Sequence, residues 1–198
     1  MPIDHIVFDL GNVLIRVHPE RFLENLAPRC SVYPESLFLS APHLELMTGA
    51  RDFDRYHRHV VEQYGFDGTR ADLEAIWLTL IGQPVDGMRA IVDRLAGQGA
   101  VSLCSNTDGI HWDYCRTQLP HLAHMERTWL SFEMGTRKPG RAIFDALLAD
   151  LDLPPEQVAF IDDTQENIVA ASALGIRAIH ADTAAAVRTG LRAVGVAV

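Results

Sequence analysis

Four short, nearly all-apolar runs recur along the chain: "HIVFDL" (5–10), "AVSLCSN" (100–106), "QVAFIDD" (157–163) and "IRAIHA" (176–181). A strand buried on both faces shows this pattern, because neither face has to be polar. Helical patterns follow the runs. "RAIFDALLADL" (141–151) sets Ile143, Leu147 and Leu151 on one stripe with Phe144 and Leu148 beside it, so a helix leads into the third run. Strands and helices alternating at these lengths predict an α/β fold: a Rossmann-like parallel sheet with helices on both faces.

Residues 16–84 break this rhythm. "PERFLENLA" (19–27), the series Phe53, Tyr56, Val60 and Tyr64, and "ADLEAIWLTLI" (71–81) all have helical spacing. An all-helical insert is expected here, with Pro19 and Gly82-Gln83-Pro84 as hinges or punctuation at its borders. The predicted division is therefore a core of residues 1–15 and 85–198 and an inserted unit of residues 16–84. The last helix, "DTAAAVRTGLRAV" (182–194), is rich in Ala.

Composition narrows the function. With 198 residues, 48% of them hydrophobic, the chain can bury a real core. Its formal charge of -9 argues against nucleic acid or an anionic membrane as partner, so an anionic substrate needs a local positive site or a metal. Cys30, Cys104 and Cys115 are odd in number and scattered, which fits a reducing compartment, and cytoplasm is the expectation. Neither an export signal nor a membrane span is read from the chain.

Ligands of open parallel sheets collect beyond the carboxyl ends of the strands. Three of the apolar runs end in polar groups suited to one site: Asp9, Ser105-Asn106 and Asp162-Asp163, with Lys138 just before the helix that leads into the third. A carboxylate nucleophile, hydroxyl and amide donors, an ammonium and paired carboxylates for a hard cation are the parts that phosphoryl transfer through an aspartyl phosphate requires. Singly, each has an ordinary structural explanation as a turn, cap or solvated residue. Together, and in this order, they outweigh coincidence.

On these residues the chain resembles the haloacid dehalogenase-like (HAD) hydrolase superfamily. "FDLGNVL" matches its first motif, "LCSN" its second, "RKP" its third and "FIDDTQEN" its acidic fourth, and the insert corresponds to that family's C1 cap. Within the superfamily the motifs look most like bacterial phosphatases that act on alpha-D-glucose 1-phosphate. The resemblance implies Mg2+ as cofactor and a small-molecule phosphomonoester, such as a sugar phosphate, as substrate. It makes Asp9 the nucleophile, and Asp9, Asp163 and the backbone carbonyl of Gly11 metal ligands. Asp162 and Asn167 would support the metal shell, Ser105 and Asn106 would hold the phosphoryl group, and Lys138 rather than Arg137 would neutralise charge.

One position departs from the pattern. Gly11 stands where most phosphatases of the superfamily carry an Asp that protonates the leaving oxygen and activates water, a role worth roughly 10²–10⁴ in rate. His18, Glu45 and residues of the insert are open as replacements. Two other functions stay open: a metal-free 2-haloacid dehalogenase, against which the acidic pair argues, and a phosphate-binding protein with little turnover.

Other residues read more blandly. His57 with His59, and His121 with His124, lack the geometry or acidic partners of a zinc site. Phe53, Tyr56 and Trp77 are expected in the insert's own core, and Cys104 in packing. "ELMTGARDF" (45–53), with Gly49 marking a turn, is a candidate for specificity. The chain alone leaves monomer and homodimer both open.

Overall fold

The computed structural model of the protein describes residues 2–198. Its main sheet is parallel throughout, with strands β1 (His5–Phe8), β4 (Ala100–Ser105), β5 (Thr128–Leu130), β6 (Val158–Asp162) and β7 (Arg177–His180) in the order β5-β4-β1-β6-β7. The four apolar runs supply four of these strands. The fifth, the three-residue edge strand β5, was not expected. Placing β1 between β4 and β6 registers Phe8 against both Leu103 and Ile161, so the ends of the three central strands meet.

Alternation along β1 divides the core. Ile6 and Phe8 join one cluster with Met88, Ile91 and Val92 of α5 (Met88–Ala96) and with Val187 and Leu191 of α10 (Ala184–Ala193). Val7 joins the other with Phe144 and Leu147 of α8 (Arg141–Leu151) and Ile168 of α9 (Gln165–Ser172). Both faces of the sheet are thus covered by helices, the arrangement that lets a strand be apolar along its whole length.

Between the first two central strands lie α1 (Pro19–Leu26), α2 (Ala41–Met47), α3 (Phe53–Tyr64) and α4 (Arg70–Leu78). They share a separate apolar core that includes Phe22, Leu26, Tyr56, Leu73 and Trp77. Local signals fix their ends. Asp52 accepts from the Arg55 N–H at the start of α3, Gly65 closes it at φ 62°, and Thr69 with Asp72 forms a capping box on α4.

The segment is not wholly helical. Strands β2 (Ile15–Val17) and β3 (Ile81–Pro84) pair antiparallel where the chain leaves the core and returns to it. Gly82-Gln83-Pro84, read from sequence as punctuation, therefore belongs to a strand, and Pro19 opens α1 at its first turn, where a missing N–H costs nothing. The pairing is extended by the His18 N–H donating to the Leu80 carbonyl (2.7 Å) and the Val85 N–H to the Leu14 carbonyl (2.9 Å).

Candidate active site

The carboxyl ends of β1, β4 and β6 converge on the ammonium of Lys138. It lies 2.8 Å from Asp9 Oδ1 and 2.6 Å from Asp162 Oδ2, and it donates to the Cys104 carbonyl at 2.8 Å. Lys138 is 1% exposed and Asp162 is fully buried, so solvent screens this cluster little. Burial pulls the ammonium toward neutrality, but the two carboxylates outweigh it and hold its pKa above the ordinary lysine value. Burial pushes the Asp9 carboxyl up, to about 7, against the pull of Lys138, with the negative charge of Asp162 adding to the rise.

Asp162 is held on both oxygens by the protein itself. Beyond Lys138, it accepts from the Thr164 N–H at 2.8 Å and from the Asn167 amide at 3.0 and 3.1 Å. The buried Asn167 thus fixes the carboxylate that fixes the lysine. Asn106 acts on the same lysine through its backbone: its side-chain amide donates to the Lys138 carbonyl and its side-chain oxygen accepts from the Lys138 N–H, both at 2.8 Å.

Asp163 faces a different neighbourhood. Its Oδ2 accepts from Asn12 Nδ2 at 3.0 Å, while Asn12 Oδ1 accepts from the Val17 N–H at 3.1 Å. Asn12 takes a positive φ of 54°, a conformation Asn tolerates better than most residues, and so ties Asp163 to the start of the insert. Sequence reasoning passed over Asn12; its place after Gly11 in a tight turn was the available signal. Oxygens of Asp9, Asp162 and Asp163 lie within 4.8 Å of one another. Three carboxylates against one ammonium leave net negative charge, and all-oxygen donors are what a hard divalent cation prefers. Among the described residues no zinc-type cluster of His57, His59, His121 or His124 forms.

Ser105, 2% exposed, ends β4 and lines a cavity of about 220 Å³ together with Gly11 and Asn106. The two named replacement acids are elsewhere. His18 pairs with Glu20 at 2.7 Å and its ring covers Gly82, while Glu45 is bound to Arg51 at 2.7 Å; neither lines the cavity. Of the 45–53 stretch, Met47 lines the cavity, whereas Gly49 packs on the backbone of Phe132, where a Cβ would sit 2.1 Å from the carbonyl oxygen, off the cavity wall. Cys104 is buried, which pushes its thiol up to about 12, and its contribution is the carbonyl that Lys138 holds.

The insert meets the core across a buried polar network. Asp108, at the start of α6 (Gly109–Gln118), accepts from the Ile110 and His111 N–H groups, from Trp77 Nε1 at 3.0 Å and from His111 Nδ1 at 2.8 Å. His111 Nε2 lies 2.9 Å from the Trp77 carbonyl, and its ring stacks on the indole at 4.7 Å. Both ring nitrogens face acceptors, so the ring is held from both ends. Burial pushes the Asp108 carboxyl up, but these donors outweigh it and hold it below the ordinary aspartate value. Trp77, expected only in the insert's core, also lines the cavity, whereas Phe53 and Tyr56 do not.

The chain is similar to known proteins in sequence and fold. Residues 3–175 match the family model of the haloacid dehalogenase-like hydrolases. The chain is 22% identical over 193 residues to a D-ribitol-5-phosphate phosphatase of Bacteroides thetaiotaomicron, covering 92% of this chain and 94% of that protein. It is 24% identical over 179 residues to a sesquiterpene phosphatase of Aspergillus oryzae, covering 88% and 87%. A HAD family enzyme of Bacteroides thetaiotaomicron, solved in complex with magnesium and inorganic phosphate, superposes with a TM-score of 0.81 at 27% identity over 89% of this chain and 92% of its own. With most of its length inside the family match and its strand-end residues gathered into one site, the chain belongs to the haloacid dehalogenase-like hydrolases.

Proposed function

We propose that this protein is a magnesium-dependent phosphomonoesterase that works through a phosphoaspartate on Asp9. The observation that carries the reading is the placement of Asp9 at the end of β1, 2.8 Å from the Lys138 ammonium and within 4.8 Å of Asp163. A carboxylate aimed at an anionic substrate is an obstacle to simple binding and a requirement for nucleophilic attack.

In this reading an Asp9 oxygen attacks phosphorus, the ester oxygen leaves with the alcohol, and water later releases phosphate from the aspartyl ester. Lys138 offsets the repulsion between the approaching anions, with Asn106 and Asp162 holding it in place. Ser105 and the backbone of Asn106 bind phosphoryl oxygens. Asp9, Asp163 and the Gly11 carbonyl would hold Mg2+, and Asp162, already committed to Lys138 and Asn167, serves the site indirectly. When bound, the ion supplies charge neutralisation at the phosphate and at Asp9. The acidic pair gives no advantage to a metal-free halide displacement, which weighs against the dehalogenase alternative.

The substrate is a small phosphorylated metabolite. Glucose 1-phosphate has no support among the relatives, two of which are named for D-ribitol 5-phosphate and for a sesquiterpene. Free thiols at Cys30, Cys104 and Cys115 fit a reducing compartment, and no helix among the described residues is long and apolar enough to cross a membrane.

The test is phosphate release from a panel of phosphomonoesters, with Mg2+ and with chelator. Release that requires Mg2+ is expected. Tight phosphate binding with no release from any ester contradicts the reading and favours the binding protein.

A further inference from the structure

The cavity beside Ser105 and Gly11 lies between the insert and the core, and because Ser105 and Asn106, which bind the phosphoryl group in the reading above, stand in its wall, it is the space open to a leaving group. Its walls are Phe38, Met47, Trp77 and Leu80 from the insert, with Ile15 and Val17 from β2. No Asp, Glu, Lys or Arg among the described residues lines it.

Its polar groups are nearly all committed. The Asn106 amide is spent on Lys138, and both His111 nitrogens on Asp108 and Trp77. The Thr107 N–H donates to Ser131, and its hydroxyl to the Asp108 carbonyl. Beyond Ser105, which faces the phosphate in the reading above, His43 stands out: its Nδ1 is buried with no partner. Burial pushes that imidazole down to about 4, so it is neutral near pH 7 and offers a hydrogen bond rather than a proton source.

A sugar or polyol placed here would give up water at several hydroxyls and regain few partners. Each buried polar group left unpaired destabilises the complex, whereas each buried CH₂ stabilises it. A dry cavity of roughly 150 Å³ admits benzene. At about 220 Å³ this one has room for a body moderately larger, on the order of ten carbons.

Resting on the phosphatase reading, we infer that the preferred substrate is a phosphomonoester of a largely apolar alcohol of about this size, with at most one polar atom to meet His43. Specificity then comes from Phe38, Met47, Trp77 and Leu80 rather than from hydrogen bonds to hydroxyls.

The test compares kcat/KM, with Mg2+ present, for geranyl monophosphate and benzyl phosphate against glucose 1-phosphate and sorbitol 6-phosphate, with p-nitrophenyl phosphate as a general probe. The apolar esters are expected to lead by at least about tenfold, the low end of what a single methylene is worth in an apolar pocket. Phe38→Asn and Met47→Gln, at partly buried positions, should each narrow that preference by about tenfold; the wild-type ranking stands as a test even where a variant fails to fold. Faster release from the sugar esters overturns this inference and leaves the phosphatase reading intact. Release from no ester, p-nitrophenyl phosphate included, overturns both.

Discussion

The side chain of Asn106 closes on the backbone of Lys138 from both sides, donating to its carbonyl and accepting from its N–H, each at 2.8 Å. The second motif of the chain therefore positions the third, and Lys138 in turn meets the nucleophile of the first and the carboxylate of the fourth. Asn106→Ala removes two neutral hydrogen bonds, about 1–3 kcal/mol together, and frees the lysine to shift. Because misplacement by about 1 Å costs on the order of 10²-fold, kcat should fall about a hundredfold, with a smaller change in KM because the backbone at 106 remains. Steady-state kinetics on the variant, with circular dichroism as a check of folding, tests this.

Asp108 joins the insert to the core through Trp77 and His111 while capping α6. Asp108→Ala leaves a buried indole N–H and a buried histidine without their acceptor, which should cost about 3–5 kcal/mol and lower Tm by on the order of 10 °C. The pH dependence has a definite sign. A carboxyl held below its unfolded value contributes stability above about pH 4 and loses it as pH falls through the folded value. The gap in stability between wild type and Asp108→Asn should be widest near neutrality and close as the protein is acidified, as followed by denaturant melts.

Gly11 is not in the left-handed region of φ, so its backbone accepts a side chain, and a Cβ there would meet Val17 Cγ2 at 3.2 Å. With His18 and Glu45 engaged elsewhere, His43 neutral and both His111 nitrogens held by Asp108 and the Trp77 carbonyl, none of these groups is free to act as a strong general acid. Gly11→Asp should therefore raise kcat, up to the roughly 10²–10⁴ that such a group supplies, with Val17→Ala added to relieve the contact. An unchanged kcat in a folded, Mg2+-binding variant would mean that the leaving group needs no protonation.

Asp163 is partly exposed and bonded to Asn12, whereas Asp162 is fully buried and bonded to Lys138. Asp163→Asn should raise the Mg2+ concentration for half-maximal activity by at least about tenfold, on the scale of changes around metal shells, with little loss of stability. Asp162→Asn should instead lower kcat at saturating Mg2+ by loosening Lys138. Magnesium titrations of both variants separate the two roles.

Much of this was legible in the chain because of how the sheet is buried. β1, β4, β6 and β7 read as apolar runs, and the chemistry stands at the ends of three of them. "IRV" is too short to show a period, and the Gly and Pro of "IGQP" read as punctuation, whereas the four residues of β1 and of β7 lie within longer apolar runs. β5 failed for the same reason of length. Asn12, His43 and the Asp108–His111–Trp77 network depend on where the insert comes to rest against the core, which no local pattern encodes. Asn106 was read as a phosphate contact, and its hold on Lys138 became visible only once the strand ends met.

The central claim is that Asp9 carries the phosphoryl group during turnover. Acid quench of the working enzyme with Mg2+ and its best ester, followed by peptide mass spectrometry, tests it directly. A phosphoryl adduct is expected on the peptide holding Asp9, more of it in wild type than in Gly11→Asp, with neither adduct nor activity in Asp9→Asn. Phosphate release from Asp9→Asn at the wild-type rate would contradict it.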